Sequence, residues 1–192
     1  MSTLKKLFVS KVRIEILSLY LHDFDASFHV RGLTRELNEE INAIRREVAN
    51  LEEVGILKSQ KEGNKLVYRL NKKSPILYEL RTIFYKESEI GQKLYNALKG
   101  IEGIDCVILT DSFIKNKYNN NTDVDFLFIG SMKVREISTA MNDLEKELER
   151  DLRYSVITKE DFEFARKKRE AFLMNILEND KIIMLGKQED LL

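Results

Sequence analysis

Two groups of residues in this 192-residue chain have types and spacings that could do chemistry. The first is Asn42, Ala43, Arg45 and Arg46, with Ala49 one turn on. If Ile44, Val48 and Leu51 form the inner face of a helix, these residues point outward near its start. There an arginine can take guanine O6 and N7, and an asparagine can take adenine N6 and N7. The small alanines allow close approach to a backbone or a thymine methyl. The second group is the pair Asp123 and Asp125. Aspartates at i and i+2 of a strand share one face and can hold Mg²⁺ against a triphosphate.

The elements that must position the first group follow from the hydrophobic pattern. Apolar residues from Leu4 to Leu21 predict a helix with a wide buried face. The segment Asp23 to Ser27 breaks it, and Phe28-His29-Val30 predicts a short strand. Leu33 and Leu37 mark a two-turn helix over Arg31 to Leu37, and the turn residues Asn38-Glu39-Glu40 lead into a second helix, Ile41 to Glu53. Gly55 stands where a left-handed helix end is commonly needed. Beyond it the period becomes alternating: Ile56 to Gln60 and Lys65 to Leu70 flank the polar loop Lys61 to Asn64. Helix, strand, helix–turn–helix and hairpin in that order outline a winged helix. Lys58, Lys61 and Lys65 on the hairpin would add phosphate contacts, which position a protein on DNA without reading sequence.

The single proline, Pro75 after Ser74, predicts a helix start, and apolar residues from Ile76 to Leu98 predict one connecting helix of about 24 residues, roughly 36 Å long. A stripe on it could pair with a second copy. After Gly100 and Gly103 the chain alternates strands (Asp105–Leu109, Val124–Gly130, Tyr154–Ile157, Ile182–Leu185) with helices over Val134–Leu152 and Lys159–Leu177. Cys106 lies in an apolar strand and reads as buried.

The stretch from Glu40 to Leu57 resembles the recognition helix and wing entry of bacterial and archaeal winged-helix regulators of the arsenic-repressor and multiple-antibiotic-repressor kind, and the resemblance extends over about Leu7 to Leu70. It implies that the helix from Ile41 enters the major groove. In the second half, Val107 to Lys115 and then, eight residues later, Val124 to Gly130 resemble the minimal nucleotidyltransferase domains of the DNA-polymerase-beta-like superfamily. That resemblance implies Mg²⁺ and a nucleotide at Asp123 and Asp125, with Ser112 at the family's phosphate-contacting serine. Two departures argue against turnover. Asp111 replaces the family's glycine and puts a negative charge where a phosphate would sit, and no carboxylate occurs around Arg153 to Val156, where active members carry a third. Without that group the attacking hydroxyl loses its base and one metal loses a ligand. Asp151 and Glu160 do not match the motif.

Composition bounds the rest. Lysine and arginine number 32, as do aspartate and glutamate, but residues 1–74 carry 14 basic against 10 acidic side chains, a surplus of four that the remainder reverses. A basic N-terminal part hints that it alone meets a polyanion. One cysteine excludes an internal disulfide framework, and with two histidines it argues against a zinc site. No apolar run approaches the ~18 residues of a membrane span, and no signal-peptide core is evident. The expectation is a cytoplasmic α+β protein with a winged helix-turn-helix over 1–73, a connecting helix over 74–100 that either pairs with a second copy or packs against its own domains, and a small mixed α/β nucleotidyltransferase-like domain over 101–192. It is read as a homodimeric regulator of transcription that binds double-stranded DNA sequence-specifically, its C-terminal domain kept for sensing, dimerisation or binding a nucleotide or protein partner. The alternative is a metal-dependent, antitoxin-like enzyme transferring a nucleoside monophosphate, with Ser112, Asp123 and Asp125 at work.

Overall fold

A computed structural model describes residues 3–187 and 191. They form two compact units, Met1–Glu87 and Ser88–Leu192.

Unit one runs α1 (Thr3–Phe8), α2 (Lys11–His22), β1 (Ser27–His29), α3 (Val30–Leu37), α4 (Ile41–Glu53), β2 (Leu57–Glu62), β3 (Lys65–Leu70) and α5 (Leu77–Glu87). The strands form one antiparallel sheet in the order β1-β3-β2. The expected single helix from Leu4 to Leu21 is two. Val9 takes φ +60°, and the Ser10 hydroxyl accepts the Arg13 N–H at 3.2 Å, capping α2. The apolar period runs on through this break, so periodicity alone hides it, whereas a serine that satisfies an orphan N–H starts a new helix. The wing is tighter than expected: Glu62 pairs with Lys65, leaving Gly63-Asn64 as a two-residue turn with Gly63 at φ +58°. Gly55 sits at φ +74° just past α4, as its position implied.

The core of unit one lies between the helices and one face of the sheet. Ile16, Leu17, Tyr20, Leu33, Ile44, Val48, Leu57, Leu70 and Phe84 are all buried in it. Tyr20 also donates its hydroxyl to the Tyr68 carbonyl at 2.9 Å, and burial pushes its phenol above the ordinary value.

The expected connecting helix does not exist as one element. α5 ends at Glu87, and Ser88, extended at φ −69° and ψ 164°, accepts the Gly91 N–H at 3.1 Å to cap α6 (Glu89–Leu98). Serine and Gly91 are poor helix-interior residues, and the cap outcompetes continuation. α5 also begins two residues after Pro75, at Leu77.

Unit two continues with β4 (Ile104–Thr110), α7 (Asp111–Ile114), β5 (Phe126–Gly130), α8 (Val134–Leu148), β6 (Tyr154–Ile157), α9 (Lys159–Lys168), α10 (Ala171–Glu178) and β7 (Lys181–Leu185). The four strands lie in the order β6-β5-β4-β7, with β5 and β6 parallel and the other pairs antiparallel. The parallel pair needs a crossover, which α8 supplies. Every residue of β5 is buried, as its unbroken apolar run requires. Cys106 and Ile108 share a face and a core with Leu127, Ile129, Phe162 of α9 and Leu173 and Ile176 of α10. The helix expected over Lys159–Leu177 divides at Arg169, which adopts φ +52°. Gly130, at φ +146°, closes β5 where a Cβ would run into the Gly103 carbonyl oxygen, so only glycine fits.

Candidate functional site

α4 divides its residues between a dry and a wet side. Ile44 and Val48 are fully buried and Leu51 nearly so, while Asn42, Arg45, Arg46 and Ala49 are exposed and Ala43 is half-buried. Arg45 Nη1 reaches Asn42 Oδ1 at 3.4 Å, a contact too long to hold either group away from a ligand. Arg46 is 69% exposed and lies 3.8 Å from Glu47. The two guanidinium groups thus stand at the surface, one turn inside the helix start.

Glu47 fixes how α4 sits against α2. Its buried carboxylate accepts the Ser10 hydroxyl and the Arg13 Nε–H, each at 2.9 Å. Burial pushes the Glu47 carboxyl up, but Ser10, Arg13 and Asn50 outweigh it, and the group lies below the ordinary glutamate range. A carboxyl lowered on folding adds stability above its unfolded value, stability that is lost as pH falls through the lowered folded value. Glu47→Gln is therefore expected to cost about 1–3 kcal/mol at pH 7. Urea titrations of both proteins should show that gap narrowing as the pH drops below 4.5.

The hairpin is tied to the same helix: Glu52 accepts the Ser59 N–H at 3.0 Å, and Asn71 Nδ2 donates to the Gly55 carbonyl at 2.8 Å. Lys58, Lys61 and Lys65 are all exposed, but strand register separates them. Lys58 and Lys65 lie on the face carrying Val67 and Arg69, whereas Lys61 lies on the opposite face with Ser59 and Tyr68. Arg69, opposite Lys58, is neutralised by Glu62 at 2.7 Å. Two further cations that the sequence pattern does not single out, Arg31 and Arg35 of α3, are also exposed. Their signal lies in the outward positions beside Leu33 and Leu37.

In unit two the two aspartates of the expected metal pair are held by different partners. Neither Asp123 nor Asp125 is in a strand, since β5 begins at Phe126. Asp123 accepts the backbone N–H groups of Asn119 and Asn120 at 2.7 and 2.9 Å, closing a turn, and the Asn175 amide at 3.3 Å. Asp125 is fully buried. It accepts Arg150 Nη2 at 3.0 Å, the Arg153 N–H at 2.8 Å and the Tyr118 hydroxyl. Arg150 also stacks over Phe113 at 4.6 Å, and Arg153 over Tyr118 at 4.1 Å. Burial and the bond to Asp125 raise the Tyr118 phenol above its ordinary value.

Mg²⁺ does not fit this donor set. A guanidinium supplies the positive charge at Asp125, and the remaining oxygen sites face N–H and O–H donors. Among the described residues no three His, Cys, Asp or Glu side chains converge as metal ligands. Asp111 and Ser112 do meet Asp123 around one cavity of about 50 Å³, also lined by Asn175 and Asn179. A nucleotide-sized pocket runs to roughly 300 Å³ or more. Lys115 neutralises Asp111 at 2.9 Å. Arg150, Arg153 and Tyr118 have no local sequence signal, because the fold alone brings them to the carboxylate they hold.

Helix, strand, two helices and an antiparallel hairpin whose second strand also pairs with the first strand make unit one a winged helix-turn-helix arrangement. A 54-residue stretch is 33% identical to a protein of Methanocaldococcus jannaschii described as the uncharacterized HTH-type transcriptional regulator MJ1398. The match covers 28% of this chain and 14% of that protein. Among solved structures, reduced HlyU from Vibrio cholerae aligns with a TM-score of 0.33 and 21% identity over 50% of this chain and 85% of that one. Human N-acetylserotonin methyltransferase in complex with SAM aligns with a TM-score of 0.30 and 14% identity over 89% of this chain and 44% of that one. No protein-family model matches the chain. No helix among the described residues is long and apolar enough to cross a membrane.

Proposed function

We propose that this protein is a DNA-binding regulator of transcription that reads double-stranded DNA through α4. The observation that carries the reading is the division of that helix, with Ile44, Val48 and Leu51 anchored in the core and Asn42, Arg45 and Arg46 left at the surface. The amino-terminal part of a recognition helix contacts base edges, and these side chains pair with guanine and adenine edges. Lys58, Lys61 and Lys65 contact phosphates from either side of the wing. The test is a gel-shift titration of the full chain against a duplex recovered by binding-site selection, with a random duplex as competitor.

Unit two serves as a nucleotidyltransferase-like scaffold without metal chemistry, kept for partner binding, sensing or assembly. Support comes from Arg150, which takes the charge-balancing place at Asp125, and from the small cavity at Ser112. The protein acts as a homodimer, since two half-sites multiply the few base contacts of one winged helix. Exposed apolar side chains on α1 and α5 (Leu7, Tyr78, Ile83) offer a surface for a second copy. Sedimentation should give twice the 22.5 kDa chain mass, and Ile83→Glu should shift the species to monomer.

A further inference from the structure

Charge on the outward side of α4 is not uniformly suited to a polyanion. Glu40, the residue that opens the helix, is exposed, and its Oε2 accepts the N–H groups of Asn42 at 2.7 Å and Ala43 at 3.3 Å. Its neighbour Glu39 is neutralised by Lys11 at 2.6 Å, but no ion pair involving Glu40 is seen among the described residues. A carboxylate therefore stands at the start of the helix that carries the two surface arginines, two residues before Asn42.

A thirteen-residue helix presents free N–H groups and about half a positive charge at its start, and DNA-binding proteins commonly set such a start against a phosphate. Here the chain's own carboxylate already holds those donors and repels a phosphate. The same carboxylate is an acceptor, and of the two amino donors in the major groove it complements the cytosine N4 group best, because adenine N6 stands beside the N7 lone pair.

We infer that Glu40 is a specificity-determining residue of the DNA interface. It excludes backbone phosphate from the start of α4 and accepts a cytosine amino group, beside Asn42 and Arg45. The effect on selectivity is twofold. Sequence-independent binding is weakened, because one phosphate contact is forbidden, and a guanine or thymine opposite Glu40 leaves its carboxylate without a donor. This role rests on α4 being the DNA-reading helix.

Glu40→Gly separates the two effects from folding, because glycine is well tolerated at a helix start and leaves the N–H donors free for a phosphate. Full-length wild type and variant are titrated against the selected duplex and a random duplex between 50 and 200 mM salt. The expected result is several-fold tighter binding of the random duplex by the variant, with a steeper salt slope, the increase being up to about 0.9, the value of one fully neutralised phosphate. Its preference for the selected duplex should fall correspondingly, and repeated selection should lose a conserved cytosine. Equal slopes and equal preference for wild type and variant, with wild type still selecting a sequence, overturn the role of Glu40 alone. A wild-type chain that selects no duplex overturns the DNA-binding reading and this inference with it.

Discussion

Replacing Arg45 and Arg46 together by alanine is expected to weaken binding to the selected duplex by about 1–3 kcal/mol for each arginine that pairs with a base. If both arginines read bases, that is roughly tenfold or more per side chain, and binding at physiological salt falls toward its sequence-independent level. Neither side chain contributes to the core, and alanine is the best helix former, so the melting curve should hardly move. The single variants should differ. Arg46 lies 3.8 Å from Glu47, whose buried charge Arg13 already balances at 2.9 Å, so its removal costs the fold little. Among the described residues Arg45 bonds through its side chain to Asn42 alone, and its removal should read out almost wholly as weaker binding. Fluorescence anisotropy against selected and random duplexes checks this. An unchanged ratio between the two would remove α4 from recognition.

A comparable effect, on stability rather than binding, is expected in unit two. Arg150→Ala leaves the fully buried Asp125 carboxylate without its cation, held among the described residues by the Tyr118 hydroxyl and the Arg153 N–H. Breaking a buried pair from one side typically costs about 3–5 kcal/mol, because the remaining charge is desolvated without compensation. Asp125→Asn should cost less, since the abandoned guanidinium is 27% exposed and reaches water while the amide oxygen still accepts a bond. This asymmetry distinguishes a structural ion pair from a metal centre. At a metal centre both aspartates would be dispensable for folding, and a divalent cation would raise the melting temperature. Here added Mg²⁺ should leave the thermal transition of the wild type unmoved. Urea titration of the three proteins measures the order.

Much of unit one is legible in its sequence, because helix period, turn chemistry and strand alternation agree over several consecutive elements. The span Ile41–Glu53 and the strands Lys65–Leu70 and Tyr154–Ile157 stand where the residue pattern puts them. The departures share one cause. At Ser10, Ser88 and Arg169 an apolar stripe continues across a cap or a left-handed residue, and periodicity cannot register where one helix stops and the next starts. The exposure of Arg45 and Arg46 is readable because it depends on neighbours three and four residues away. The fate of Asp123 and Asp125 is not, since it depends on Asn175, Arg150 and Arg153, which only the fold brings to them. The two-residue wing turn shows the intermediate case: Gly63-Asn64 carries the turn signal, while strand register decides how far the ladder extends toward it.

Whether α4 offers its guanidinium side to a base-paired groove is settled by selection of the full-length protein on a random duplex library. If it does, one motif is enriched, with two inverted half-sites about 10 base pairs apart, containing guanine for the arginines and adenine for Asn42. A library that emerges with no sequence enriched over its input would contradict that role for α4.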